Sequence, residues 1–456
     1  MQRRRLAIIA PLVVSVLFGH VLVSDAADIT DVDGAAIATA RAVPVLGMVD
    51  SVSVAQTGPL TDAVRDAALT AAANAGAPAV VGRGFSAGLT RVRRGTTVVQ
   101  QSLGPGWAFP MAITALPLEA IGGVMGRRIS GPISAGGVVM GQTSANVRGA
   151  AVGDTIDLMA ANGAIRTFTI GLIAPDDEVG GTEILISLQQ ADLLGATIAT
   201  RVLIYGAPSR SAVDVALLNS GLYSNTKVRI RKTWDAKDPD GTRSMAVTKS
   251  LLGEFQMDYA NLTTNGWTSV DTAWKNAYLP AARTYPTGIR TRCNNTIHSD
   301  LSAALAEVQA TYPSLVYTGS DPLLSTTGLN VANANQYGGC SAGQARLSRI
   351  TQSLGSVSRH SWGQPLDVST VANCQGCVPR MDCRIVRIFR KHNFAWGGNF
   401  LTPDGMHFEW VGEPRHQLQY PSKYCANPAS AQAQTEGLPP PDGRDTLFAD
   451  DGLIEE

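Results

Sequence analysis

Histidine and carboxylate side chains crowd two short stretches in the last third of the chain. Residues 358–367, SRHSWGQPLD, hold His360 and Asp367 seven positions apart with Gly363 between them. Residues 396–398, WGG, precede a second stretch, 404–409, DGMHFE, which holds Asp404, His407 and Glu409. Two neutral imidazoles and one carboxylate make a ligand set for zinc, which at hydrolytic sites takes three protein ligands and keeps a fourth position for water. Zinc lowers the pKa of that water toward neutrality, and a nearby carboxylate takes its proton. His360, Asp367 and His407 are therefore the candidate ligands, and Asp404 the candidate base. Neither the helical nor the strand period forces residues 360 and 367 together, so spacing alone also admits unrelated polar groups at turns.

Together the two stretches resemble the VanY-type zinc D-alanyl-D-alanine carboxypeptidases and related endopeptidases, whose paired motifs are SxHxxGxAxD and a later (D/E)xxH, commonly DPMHFE. The matching residues are Ser358, His360, Gly363 and Asp367, then Asp404, Met406, His407, Phe408 and Glu409. Pro365 stands where the family usually has alanine and Gly405 where it often has proline; neither change removes a ligand. Residues 384–396, RIVRIFRKHNFAW, resemble the family's helix leading to a GFxWGG turn, with Ile385, Phe389 and Phe394 as core residues. Residues 268–279 and 299–311 look like the start of the same fold, so the resemblance spans 262–425.

The resemblance implies a Zn2+ cofactor on His360, Asp367 and His407, Asp404 as base, and an arginine that stabilises the oxyanion. Arg346 and Arg349 both stand upstream of the first ligand, and Arg349 is the preferred of the two. Glu409 reads as an acceptor that orients His407, and Ser358 as a further support of the ligands. His392 reads as helix surface and His298 as a residue near a helix start. The implied substrates are peptidoglycan stem peptides, and the implied activity is that of a D-alanyl-D-alanine carboxypeptidase. A terminal D-Ala-D-Ala bond, an L-Ala to D-Glu bond and a cross-bridge all stay open as the bond cut. Two further readings stand beside it: a non-catalytic scaffold that binds wall or partner, and a zinc peptidase acting on protein substrates.

The elements that must position these residues form an α+β chain of two domains, since 456 residues exceed one ordinary domain. The peptidase-like domain, 262–425, carries a small antiparallel sheet flanked by helices. Ahead of it, residues 46–210 show a helix over 59–75 and short β-branched runs at 96–100, 137–140, 155–158, 166–173, 183–186 and 201–205. Asn162-Gly163 makes 155–173 a hairpin candidate. Residues 137–173 resemble the extracytoplasmic domain of MacB-type and FtsX-like ABC permeases, in which a VVLG-like strand, a small helix, a VGDT turn and a strand pair recur. The multiple spans of a permease are lacking, so the resemblance implies a binding or spacer module with a protein partner, and Gly153 and Asp154 read as turn residues. Residues 211–261 are a connector, whose basic run 227–232 reads as a solvated strand face. Residues 426–456 read as a disordered tail.

With 37 basic and 37 acidic side chains, no global field attracts nucleic acid. Arg3, Arg4 and Arg5 precede an apolar run over 6–23, so residues 1–27 read as a cleaved signal peptide or an uncleaved anchor, the chain's one membrane contact, followed by a leader over 28–45. Either way the remainder is exported, secreted or anchored outside the cytoplasm. All six cysteines lie beyond residue 290, as disulfides of an extracytoplasmic domain would, with fifteen pairings open.

Overall fold

Alternation in the sequence becomes pairing in the structure, a computed structural model that describes residues 48–56, 58–160, 162–225, 227–347, 357–428 and 443–448. All of these belong to one unit, Gly47–Glu456. The signal or anchor, the leader and Arg349 lie outside the described residues. Among the described residues no helix is long and apolar enough to cross a membrane.

Phe168 and Ile170 are buried while Thr167 and Thr169 are exposed, and their strand, Ile165–Ala174, pairs antiparallel with Thr155–Met159 around the Asn162-Gly163 turn. Gly163, whose N donates to Ala160 O at 2.9 Å, takes a φ of 80°, the left-handed position that follows the turn in a longer hairpin loop. The strands expected at 96–100, 137–140, 183–186 and 201–205 appear at Thr97–Gln101, Val138–Gly141, Ile184–Ser187 and Arg201–Tyr205. Short runs do not disclose that six strands close on themselves. Ala79–Arg94, Thr155–Met159, Ile165–Ala174, Val138–Gly141, Ile184–Ser187 and Trp107–Leu116 pair in turn, and the last pairs back with the first. Leu89, Met111, Ile113, Ile156, Leu158 and Ile170 are part of their shared core.

The 16-residue strand Ala79–Arg94 makes this possible by serving two layers. Its first residues pair with Arg201–Tyr205, which pairs with Ser51–Gln56, which pairs with Val228–Lys232, all antiparallel. Helices Asp62–Asn74 and Arg210–Asn219 contribute Val64, Ala68, Val213 and Leu217 to the same core as Val52 and Val54 of that sheet. A β-α-β pair of units thus carries the barrel as an insertion. The sheet also runs past residue 210. Residues 227–232, assigned to the connector, supply its edge strand, with Val228 buried and Arg229, Arg231 and Lys232 partly covered, so the run is less solvated than its charge implies.

The second core gathers Trp274, Leu301, Leu305, Trp362, Phe389 and Phe408 between helices His298–Thr311 and Cys383–Lys391 and a sheet of three short strands. Ile385, Phe389 and Phe394 are fully buried, as expected of that segment. Disulfides join Cys293 to Cys340, Cys374 to Cys377 and Cys383 to Cys425.

Helix Met245–Leu252, capped by the Ser244 hydroxyl, bridges the two cores. Its Lys249 is buried and pairs at 2.9 Å with Glu183, itself buried beside Arg148 at 3.0 Å. Burial pushes the Glu183 carboxyl up, but Lys249 and Arg148 together hold it below the usual range. Beyond the helix, Met257–Asp258 pairs with Trp107–Ala108 of the barrel.

Composition assigned 426–456 to disorder, yet Gly443–Thr446 is a helical turn and Leu447 and Phe448 are buried beside Val179 and Leu185. Two adjacent apolar side chains in a polar tail suffice to dock it, and Phe448 N donates to Gly180 O at 2.9 Å. Phe448→Ala should lower unfolding free energy by about 3 kcal/mol, read from the urea midpoint of the full chain.

Candidate active site

Strand register performs the first step of assembly. His407–Trp410 lies between Phe394–Trp396 and Pro365–Asp367, with Asp367 opposite His407, Leu366 opposite Phe408 and Pro365 opposite Glu409. The two-residue period puts His407, Glu409 and Asp367 on one face and leaves Leu366 and Phe408 to the core. A slip of one residue would exchange the faces. Pro365 sits on an outer strand of the three, where a missing N–H is tolerated.

His360 comes from a 3-10 turn, Arg359–Trp362, capped by Ser358, whose Oγ accepts from His360 N at 3.3 Å. The turn ends at Gly363 with a φ of 64°, and a Cβ there would stand 2.7 Å from Leu279 Cδ1 and 2.8 Å from Asn294 N. Conformation and space both require glycine at this position.

His360 Nδ1 lies 2.8 Å from the Cys340 carbonyl, which can only accept, so Nδ1 carries the proton and Nε2 presents its lone pair toward Asp367 Oδ2 at 3.2 Å. His407 Nδ1 is 3.2 Å from Asp367 Oδ1, and its Nε2 faces Glu409 Oε2 at 3.5 Å. One ligand atom from each of His360, Asp367 and His407 falls within 4.8 Å of the others. The 3.2 Å separations exceed an ordinary charge-assisted hydrogen bond. They run to the two different oxygens of Asp367, which stands between the rings with a ligand atom in reach of both. Two ring nitrogens and a carboxylate fit a zinc ion, with a carbonyl behind the His360 ring and the Glu409 carboxylate behind that of His407 to take the far N–H of each. Asp367, its carboxylate flanked by the two imidazoles, is the acidic member of the set.

Asp404 is fully buried in the turn before His407. Its N donates to Gly397 O at 2.8 Å and its carbonyl accepts from His407 N at 3.2 Å, so backbone bonds fix candidate base and ligand relative to each other. Arg346 is buried on a strand paired with Trp267–Thr268, its guanidinium 5.3 Å from the Trp267 ring centre and its Nη2 3.5 Å from Ser358 Oγ. It therefore stands beside the His360 turn. His392 binds Glu307 at 2.7 Å and His298 binds the Cys293 carbonyl at 3.2 Å, and neither joins the ligand group.

Sequence reading passed over several supports. The Cys340 carbonyl has no local signature. Gln364, which donates to Glu409 Oε1 at 3.0 Å, stood inside the first motif without an assigned part. Asp240, in the connector, is buried and accepts from Arg390 Nε at 2.9 Å, Trp396 N at 3.0 Å and Asn399 Nδ2 at 2.7 Å. It thereby fixes the Trp396–Asn399 turn that receives Asp404 N.

Residues 351–410 match the family model described as D-alanyl-D-alanine carboxypeptidase. That stretch holds His360, Asp367, Asp404, His407 and Glu409, and supports a peptidase domain in this part of the chain. No curated protein matches the chain. Chelator-treated protein should take up one equivalent of zinc. At free zinc 1,000-fold above Kd, unfolding free energy should rise by about 4 kcal/mol, and His407→Ala should abolish that rise in a thermal melt.

Proposed function

We propose that the chain is an exported zinc peptidase that hydrolyses peptide bonds of peptidoglycan stem peptides, with D-alanyl-D-alanine carboxypeptidase activity as its leading form. The observation that carries this reading is the convergence of His360, Asp367 and His407 within the stretch that matches the peptidase family. Zinc on those three side chains would supply Lewis acidity and lower the pKa of a water toward neutral. Asp404, held by Gly397 and by its own bond to His407 N, takes the proton of the attacking water and returns it to the leaving amine. Arg346, buried alongside Ser358, is the described arginine suited to stabilise the tetrahedral oxyanion; Arg349 keeps that candidacy only from the sequence. Glu409 holds His407 from behind.

Three disulfides favour an oxidising compartment, in keeping with an exported chain. The MacB-like resemblance of residues 46–210 stands as a proposal that this part binds a protein partner. A purely non-catalytic scaffold would have no use for a buried Asp404 alongside a complete ligand set.

Purified muropeptides incubated with the zinc-loaded full chain should lose one terminal alanine by mass spectrometry, whereas internal cuts would make it an endopeptidase. Asp404→Asn should bind zinc as the wild type does and lower kcat by about 10²–10⁴-fold. Turnover of folded protein substrates but not of muropeptides would overturn the substrate class.

A further inference from the structure

Glu409 has no exposed surface, so its carboxylate oxygens need partners from within the protein. Gln364 supplies one donor. Among the described residues the cation paired with it is Arg359, whose Nε lies 3.8 Å from Oε1. The rest of that guanidinium turns away from the metal site. Its Nη1 donates to Thr248 Oγ1 at 2.7 Å and lies 3.8 Å from Met245 Sδ, while Nη2 donates to the Arg243 carbonyl at 2.7 Å.

All three partners belong to residues 243–248, ahead of the peptidase-like segment and outside the stretch that matches the family. Thr248 is buried on the bridging helix, and its hydroxyl accepts from the Arg359 guanidinium. The helix is fixed at both ends of its reach. Lys249 ties it to Glu183 of the barrel. Its terminal carbonyls accept from the site's own framework: Leu252 O from Trp274 Nε1 and Asn294 Nδ2 at 3.2 Å each, and Gly253 O from Trp362 Nε1 at 3.0 Å.

Resting on the zinc reading above, we propose that Thr248 and Arg359 are positioning residues for His407. The bridging helix sets the guanidinium, the guanidinium sets Glu409, and Glu409 accepts the hydrogen bond of His407 Nε2–H so that Nδ1 is presented beside Asp367. The ligand geometry is then completed from a helix that the barrel anchors.

The test uses the full chain and three variants, Thr248→Val, Thr248→Ser and Arg359→Lys. Zinc affinity is measured by competition with a chromogenic chelator, and the visible spectrum is recorded with cobalt in place of zinc. Thr248→Val and Arg359→Lys should weaken zinc binding about 10–100-fold and shift the cobalt bands, with Thr248→Ser restoring both. Wild-type affinity and spectrum in Thr248→Val and Arg359→Lys, even with a lowered melting temperature, would overturn the proposal and leave the helix a purely structural brace. Should Thr248→Val not fold, Arg359→Lys decides alone. If the wild type itself binds no zinc, the metal reading fails first and this inference falls with it, an outcome seen before any variant is made.

Discussion

The register between two short strands is the constraint on which the site depends. Asp367 and His407 are forty positions apart in the chain, and only their pairing across Pro365–Asp367 and His407–Trp410 brings carboxylate and imidazole to 3.2 Å. The register is itself held from the other face, where Leu366 and Phe408 are fully buried with Phe389 and Phe394. Hydrophobic burial on one side of the sheet thus fixes polar geometry on the other, because a shift that misplaced the ligands would also expose the core. His360 is bound to that sheet less directly, through a capped turn closed by a glycine and a carbonyl next to the Cys293–Cys340 disulfide.

What the sequence disclosed follows from how local each constraint is. His360, Asp367 and His407 lie in two short stretches dense in histidine and carboxylate, so the three side chains that the structure brings together could be picked out before any fold was known. The strands from 138 to 205 were readable from short β-branched runs, with clear alternation only in 166–170, and the hairpin from Asn162-Gly163. The barrel's closure was not, because Ala79–Arg94 is interrupted by Gly82, Gly84 and Gly88 and carries no clean period. Gly88 is there for space, since a Cβ would come within 2.6 Å of Ala108 Cβ on the neighbouring strand. That information lies in the partner strand and not in the run itself. Residues 443–448 were hidden for the opposite reason, two apolar side chains being too few to register against a polar tail.

Asp240, Thr248 and Arg359 show a third kind of illegibility. Each is a common polar residue in a stretch without a motif or, for Arg359, an unassigned place within one. Their parts come from long-range burial of charge: Asp240 against Arg390 at 2.9 Å, and Arg359 against Glu409 with its remaining donors in residues 243–248. No spacing rule predicts such pairs.

These pairs also bear on where the unit that holds the site begins. A piece starting at residue 262 would keep His360, Asp367, Asp404 and His407, yet would strip Arg390 of Asp240 and Arg359 of Thr248 and the Arg243 carbonyl. Removing one partner of a buried ion pair costs about 3–5 kcal/mol, because the other charge is left in a medium that cannot solvate it. Against a total stability of about 5–15 kcal/mol for a domain, the Asp240 loss alone is a large fraction. The same cut would uncover Trp274 and Trp362, whose indole nitrogens donate to Leu252 O and Gly253 O. The site is therefore better described as seated on residues 240–253 than as preceded by them, and the barrel, through Lys249 and Glu183, holds the helix on which that seat is built.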